Sequence, residues 1–497
     1  LGLVGLVGIV ADFGISQTVV RYLPFHLGKN DRLGASRVVC LNIVLGTALL
    51  VVAAMLAFVL APAAGQFFGN PALVPVLTLL AVYLCVNQTF GIAMSILVAL
   101  KKMKQRSIGS NLQNVLKIIL TLAFVWLLGP NARALTFAFI LSFVIGTAYL
   151  LTVLYRSLKE LDLPPPSGTG WYGPYLREML PFGLTMVSIS MFGALITYTD
   201  RVMLGYLLKG DTYTQIGIYT FATSLASMVA VLASSITVIL LPVASGLVSK
   251  SGTERIHKAA QTSLRWILFS SVPFAVFFAA FAAPFLRVLY GAEYEPGALS
   301  LAFFSIGTLF YLLGSVQSIL IAAHRLVKLE LVAFICGAAV NVILNALLIP
   351  RFGINGSSFA GMVSLIVVAG IHHYYASRRF NFSIPLSIWK NLFAGAIVLV
   401  LLIGLEQVSY NYLVNLPLQF STGSILGGVA DKIVKLAILS IFFGIGSLAY
   451  LILLNLMGLF EHEDRHVFDG LLAKTGLPVS WRVRISKMVF WHLPREA

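Results

Sequence analysis

Asp200 and Arg201 stand side by side inside the apolar run 180–207. About 20 apolar residues cross a bilayer, so the pair sits at membrane depth, where ionisable side chains are tolerated only against a partner or a wet cavity. It marks either an interior ion pair or the wall of a solvated passage. Other polar residues fall in apolar runs at helical spacing. Gly5, Gly8, Asp12 and Ser16 share one face with Arg21 near its end, Asn111, Asn114, Lys117 and Thr121 share another, and Asn341 pairs with Asn345 at one turn. Thr220, Ser224, Ser227 and Ser234 form a further stripe. Such hydroxyls and amides also serve as helix-to-helix bonds, worth about 0.6 kcal/mol each in lipid. Asp12, Lys117, Asp200 and Arg201 each cost at least about 2.5 kcal/mol at the bilayer centre. For Arg21, Arg37 and Lys117 the alternative is to snorkel to the interface.

Motifs for covalent or hydrolytic chemistry are absent from the sequence: no GxSxG, HExxH or Walker A, and no GxGxxG after a soluble strand. The chain is therefore read as a non-enzyme. His372 and His373 are adjacent and point about 100 degrees apart, unsuited to joint metal ligation, and a cytoplasmic helix end is the better account of them. Cys40, Cys85 and Cys336 lie in apolar segments without CxxC or Cys/His spacing. No metal or organic cofactor is called for.

These residues belong to a chain with 59% hydrophobic and 10% charged residues and a mean hydropathy of +0.93, more apolar surface than a soluble core buries. The reading is an all-α polytopic membrane protein with about thirteen spans, near 1–20, 38–61, 73–99, 112–128, 132–154, 180–207, 216–242, 264–286, 298–322, 330–349, 355–377, 386–405 and 434–456. Alternate connections differ sharply in charge. One set includes Arg21, Lys29, Arg32, Arg37, Lys101, Lys102, Lys104, Arg156, Arg177, Lys250, Arg265, Arg378 and Arg379; the other has few cations. Because basic residues collect in cytoplasmic loops, the first set and the C-terminus are placed in the cytoplasm and Leu1 outside. The net charge of +16 is thus topological, and no nucleic acid is implied. A chain that starts in the cytoplasm needs one more helix before Leu1.

An internal repeat is visible. SILVALKKMK from Ser95 reads against SILIAAHRLVK from Ser318, a displacement of 223 residues, and TVVRYLP from Thr18 reads against TVILLP from Thr237. Two six-helix halves of like orientation follow, related by an axis along the membrane normal. The expected organisation is an N-terminal lobe over 1–155, a proline-rich cytoplasmic linker over 156–179, a C-terminal lobe over 180–380, two further helices over 381–456 and a cytoplasmic tail over 457–497. The tail mixes apolar and basic residues, so it either lies on the inner membrane surface or packs as a small cap.

Four stretches, VADFGISQTVVRYLPFHLGKNDR (10–32), TDRVMLGYLL continuing through QIGIYTFATSLASM (199–228), LYGAEYEPGALSL (289–301) and LLIPRFGINGSSFA (347–360), together resemble the polysaccharide biosynthesis or oligosaccharide flippase family. That family belongs to the multidrug/oligosaccharidyl-lipid/polysaccharide exporter superfamily. The resemblance implies fourteen helices in two six-helix lobes plus two more around a central cavity, the first helix preceding Leu1. It implies movement of a polyprenyl-(pyro)phosphate-linked oligosaccharide from the cytoplasmic to the outer leaflet of the cell membrane by alternating access. Glycosyltransferases or a polymerase of the same pathway are the partners it suggests.

Under that resemblance Arg21, Arg37 and Lys117 meet the phosphate on the cytoplasmic side and Arg201 holds it on the outer side, since guanidinium and ammonium groups pair well with phosphate. Asn111, Asn114, Asn341 and Asn345 would offer hydrogen bonds to sugar hydroxyls. Asp12 and Asp200 would balance the cations or bind a coupling proton or sodium ion. A cation-coupled multidrug exporter of the same superfamily is the alternative, disfavoured by the excess of cationic over acidic candidates. A membrane-embedded glycosyltransferase would need a loop with catalytic carboxylates, which 155–179 and 406–433 lack.

Overall fold

The computed structural model describes residues 14–67, 73–166, 172–208, 211–231, 253–324, 326–415, 425–473 and 478–490. Asp12, Ser234, Pro242 and the repeat segment beginning at Thr237 lie outside the described residues. Within them every regular element is helical, and eleven helices are long and apolar enough to cross a membrane. The chain divides into two compact units, Leu1–Val202 and Met203–Ala497.

In the first unit α1 (Ile15–Gly28), α2 (Arg32–Phe67), α3 (Leu73–Ala99), α4 (Met103–Leu128), α5 (Ala132–Leu161) and the greater part of α6 (Tyr172–Leu207) follow one another. The α1–α2 turn is built by Asn30 at φ 57 and by Asp31, whose Oδ1 accepts the Gly34 N–H at 2.8 Å while Oδ2 meets the His26 ring at 2.8 Å. This short turn makes α1 and α2 antiparallel neighbours. Higher up, the Asn42 amide donates to the Ile15 carbonyl at 2.8 Å. Val19, Leu23, Val38, Ile96, Leu97 and Leu150 fill the core between them. By contrast Val52, Met55, Leu56, Phe58 and Val59 of α2 and Leu122 and Trp126 of α4 are exposed. A soluble surface would not carry such an unbroken apolar face, and a bilayer accepts it.

The second unit comprises α7 (Thr212–Ala226), α8 (Thr253–Ala280), α9 (Ala282–Tyr290), a 3-10 turn (Ala292–Gly297), α10 (Ala298–Ala323), α11 (Val327–Phe380), α12 (Leu386–Asn415), α13 (Ile425–Leu456), α14 (His462–Ala473) and α15 (Val479–Val489). Phenylalanines knit α8, α9 and α13: Phe277 stacks on Phe281 with centroids 5.3 Å apart, and Phe281 stacks on Phe442 at 5.2 Å. α11 is two spans. Gly353 breaks it at φ 56, and the Phe334 and His372 rings, each 19 residues from that glycine (353 − 334 and 372 − 353), lie 6.0 Å apart. The chain therefore folds back on itself, as the separate spans 330–349 and 355–377 required.

The repeat holds at the level of elements. Ser95 and Ser318 each sit in the last turns of a helix, α3 and α10, before a short turn and the next helix. A displacement of 224 (353 − 129), one more than between the serines, carries Gly129 at φ 77 in the α4–α5 turn onto Gly353 at φ 56 in the α11 hairpin. Three consecutive helices in each unit are thus built alike. The tail is a packed cap. Arg265 of α8, 5% exposed, pairs with Glu461 and with the fully buried Asp464 at 3.5 Å. The Asn455 amide donates to the Val489 carbonyl at 2.7 Å, and Phe490 sits against Phe460 and Phe468.

Candidate functional site

Two cations of the first unit, Arg21 and Arg37, lie where α1, the start of α2 and the start of α6 meet. The Arg21 guanidinium lies 4.3 Å from the centre of the Phe182 ring and 5.4 Å from that of Tyr22. Arg37 lies 5.8 Å from the Tyr175 ring, and His26 packs 5.7 Å from the same ring. Tyr22 donates its hydroxyl to the Glu178 carbonyl at 3.4 Å, which ties α1 to α6. Aromatic faces attract and orient guanidinium groups without neutralising them. Arg21 is exposed and Arg37 half-buried. Asp31 in the adjoining turn is held below the usual carboxylate range, first by the Gly34 N–H and then by His26, with Arg37 adding a smaller pull.

A second polar group lies on α4. Of this helix only Gly109 and Gln113 are fully buried, and Gln113 donates to the Ser142 hydroxyl of α5 at 3.3 Å. Asn111 and Asn114 are exposed; Lys117 is half-buried, 3.3 Å from the Asn114 Oδ1 and 5.8 Å from the Phe139 ring. The helix begins at Met103, nine residues ahead of the expected span (112 − 103). Lys117 is therefore an interior residue of α4, about 16 Å from the Leu128 end at 1.5 Å per residue. That is roughly half of the ~30 Å hydrocarbon thickness.

Asp200 and Arg201 occupy the last third of α6. Asp200 is buried and Arg201 half-buried, as the ~100 degree rotation between neighbours dictates. Arg201 donates to the Thr197 carbonyl at 3.4 Å and lies 5.8 Å from the Tyr198 ring. In the second unit Asn341 and Asn345 are fully buried, and the Asn345 amide donates to the Asn341 Oδ1 at 3.0 Å. The hydroxyls of Ser224 and Ser227 are taken up by carbonyls of their own helix. So the structure sets Arg21 and Arg37 against two rings of α6 seven residues apart, Phe182 and Tyr175, and brings Asn114 and Lys117 together. Asn341 and Asn345 are paired inside the second unit.

Two features went unread in the sequence. Arg265, counted among basic connection residues, is a buried anchor of the tail, a role signalled only by acidic residues 199 positions away (464 − 265). His372, read with His373 as a cytoplasmic helix end, is 1% exposed, its ring 6.0 Å from that of Phe334 across the α11 hairpin. Among the described residues no three or more His, Cys, Asp or Glu side chains stand together as metal ligands would.

Helices with lipid-accepting faces and a few exposed cations and amides define a polytopic membrane protein. The chain belongs to the polysaccharide biosynthesis protein family, whose model matches residues 1–299. It is 22% identical over 375 residues, 72% of each chain, to the uncharacterized membrane protein MJ1068 of Methanocaldococcus jannaschii. Over 259 residues, half of each chain, it is 22% identical to the probable low-salt glycan biosynthesis flippase Agl15 of Haloferax volcanii. Its fold is like that of the lipid II flippase MurJ in an inward closed conformation, at TM-score 0.60 and 15% identity over 89% of this chain and 96% of that one. It is also like that of an inward-facing multidrug resistance MATE transporter, at TM-score 0.60 and 16% identity over 76% and 88%.

Proposed function

We propose that the protein is a flippase for polyprenyl-phosphate- or diphosphate-linked oligosaccharide, carrying the headgroup from the cytoplasmic to the outer leaflet by alternating access. The observation that carries this reading is the exposed Asn111 and Asn114 beside Lys117 in the interior of a membrane-spanning helix. Two amides and an ammonium facing lipid there would go unsolvated at several kcal/mol, so the strip of α4 that carries them, at the edge of the apolar face of Val115, Ile118 and Leu122, lines water or cargo. Arg21 and Arg37 add cations at one end of α1 and α2, and Arg201 adds one far along α6. Together they offer a phosphate successive positive partners, while the amides serve sugar hydroxyls. For the buried Asn341 and Asn345, bonded to each other along one turn of α11, we propose a structural role inside the second unit; for Asp200, and for Asp12 outside the described residues, charge balance or binding of a coupling proton or sodium ion.

The cargo fits this division of labour. A glycan cannot cross hydrocarbon unaided, whereas its isoprenoid tail remains at home there. The test is translocation of a fluorescent polyprenyl-diphosphate glycan in proteoliposomes, read by quenching from outside. Acceleration over protein-free vesicles is expected, and its absence with and without proton or sodium gradients overturns the reading.

A further inference from the structure

Leu41, Leu45 and Leu49 recur every four residues, so they form one inclined ridge of α2 on which Arg37 stands one turn before Leu41. Facing that line are Leu176, Leu180 and Gly183 of α6, and between the two helices is an apolar groove of about 160 Å³. Of the polar side chains in its wall, Thr18 donates its hydroxyl to the Gly14 carbonyl at 2.7 Å and Asn42 its amide to the Ile15 carbonyl, while the buried Asn42 Oδ1 accepts no hydrogen bond among the described residues. An apolar cavity of about 150 Å³ stays dry and takes a benzene-sized guest, so this one has room for about one five-carbon isoprene unit. One end of the leucine line is Arg37, beside Tyr175. One turn of α1 on from the lining Thr18, Arg21 lies over Phe182, the sequence neighbour of Gly183.

A row of apolar side chains ending in guanidinium groups matches one kind of molecule, an anion joined directly to a hydrocarbon chain. We infer that the α2–α6 groove holds the isoprenoid segment next to the carrier lipid's phosphate, with Arg37 and Arg21 meeting the phosphate itself. This rests on the flippase reading and deepens it. The carrier would be gripped by the first unit at its phosphate–isoprenoid junction, leaving the glycan to the amides of α4.

The test uses the full chain in lipid nanodiscs and a polyprenyl phosphate carrying a diazirine on the isoprene unit nearest the phosphate. Photolabelled peptides are mapped by mass spectrometry. Label is expected within 41–49 and 176–183, lowered about tenfold by Leu45→Trp, which fills the groove, and about tenfold for the uncharged polyprenol analogue. Mapping on the unaltered protein needs no variant, so misfolding of Leu45→Trp leaves the test intact. Label confined to other helices overturns the inference, as does a phosphatidylglycerol diazirine probe that marks the same peptides in equal yield and displaces the first. Translocation with an unlabelled groove removes this inference alone; absence of label anywhere together with absence of translocation removes the flippase reading as well.

Discussion

Replacing Arg265 by alanine should release the C-terminal cap while leaving the membrane helices folded. The guanidinium is 5% exposed and meets two carboxylates, that of Glu461, half-exposed, and that of Asp464, with no exposure at all. Breaking a buried ion pair costs about 3–5 kcal/mol, because the remaining charge stays desolvated. The lower end applies here: Glu461 can turn to water, and Asp464 keeps the hydrogen bond from the Glu461 N–H at 2.9 Å. About 3 kcal/mol is roughly a hundredfold in the docking equilibrium. Hydrogen exchange of 479–489 in nanodiscs reads that equilibrium directly, and trypsin cleavage after Arg482 or Arg484 reads it independently. Arg265→Met combined with Asp464→Leu should regain much of the protection, since it removes both charges and keeps the volume. Protection of the Arg265→Ala tail within about threefold of the unaltered protein, well under 1 kcal/mol, would refute the reasoning.

Other expectations rest on single contacts. Gly14→Ala places a methyl where φ is +70 and where it would overlap the Gly183 carbonyl. It should lose about 1–2 kcal/mol from the backbone alone, and an unchanged thermal midpoint in detergent would contradict the close approach of α1 to α6. Tyr450, 1% exposed, donates its hydroxyl to the Asn391 Oδ1 at 2.6 Å. Tyr450→Phe should cost about 1–3 kcal/mol because Asn391 stays buried, and Asn391→Leu in the same chain should recover part of it. The lowered Asp31 pKa gives a stability term that is fully present above the unfolded carboxylate value of about 3.9 and is lost as pH falls through the folded one. The midpoint difference between the unaltered protein and Asp31→Asn should therefore close as pH is lowered below the unfolded carboxylate value; a gap that stays constant would count against a charged partner for Gly34 and His26.

Much of the fold was legible because a bilayer simplifies the code. Long apolar runs have to be helices, and their periodicity marks which polar residues share a face. The motifs that carried the family resemblance turn out to be builders of turns. In 289–301, Arg287 just upstream pairs with Glu295 at 3.0 Å across the 3-10 turn. In 347–360, Gly353 supplies the left-handed bend and Gly356 packs against the Leu348 carbonyl where no side chain fits. Such residues identify a scaffold well and a cargo poorly. The site was harder to read because exposure is a tertiary property: Asn111 and Asn341 look equivalent in the sequence, yet one is exposed on α4 and the other buried in α11. Helix ends misled for the same reason. Lys117 looked terminal until the helix was found to begin at Met103, and the long-range partners of Arg265 leave no local trace.

The most direct measurement is the rate at which proteoliposomes translocate a defined polyprenyl-diphosphate oligosaccharide, comparing the unaltered protein with Arg21→Gln and Lys117→Gln at equal incorporation and equal thermal midpoint. Each cation is expected to contribute a charge-assisted hydrogen bond of about 1.5–3 kcal/mol, so each variant should slow translocation by roughly ten- to a hundredfold. Rates equal to that of the unaltered protein in both variants would contradict a cationic path for the headgroup.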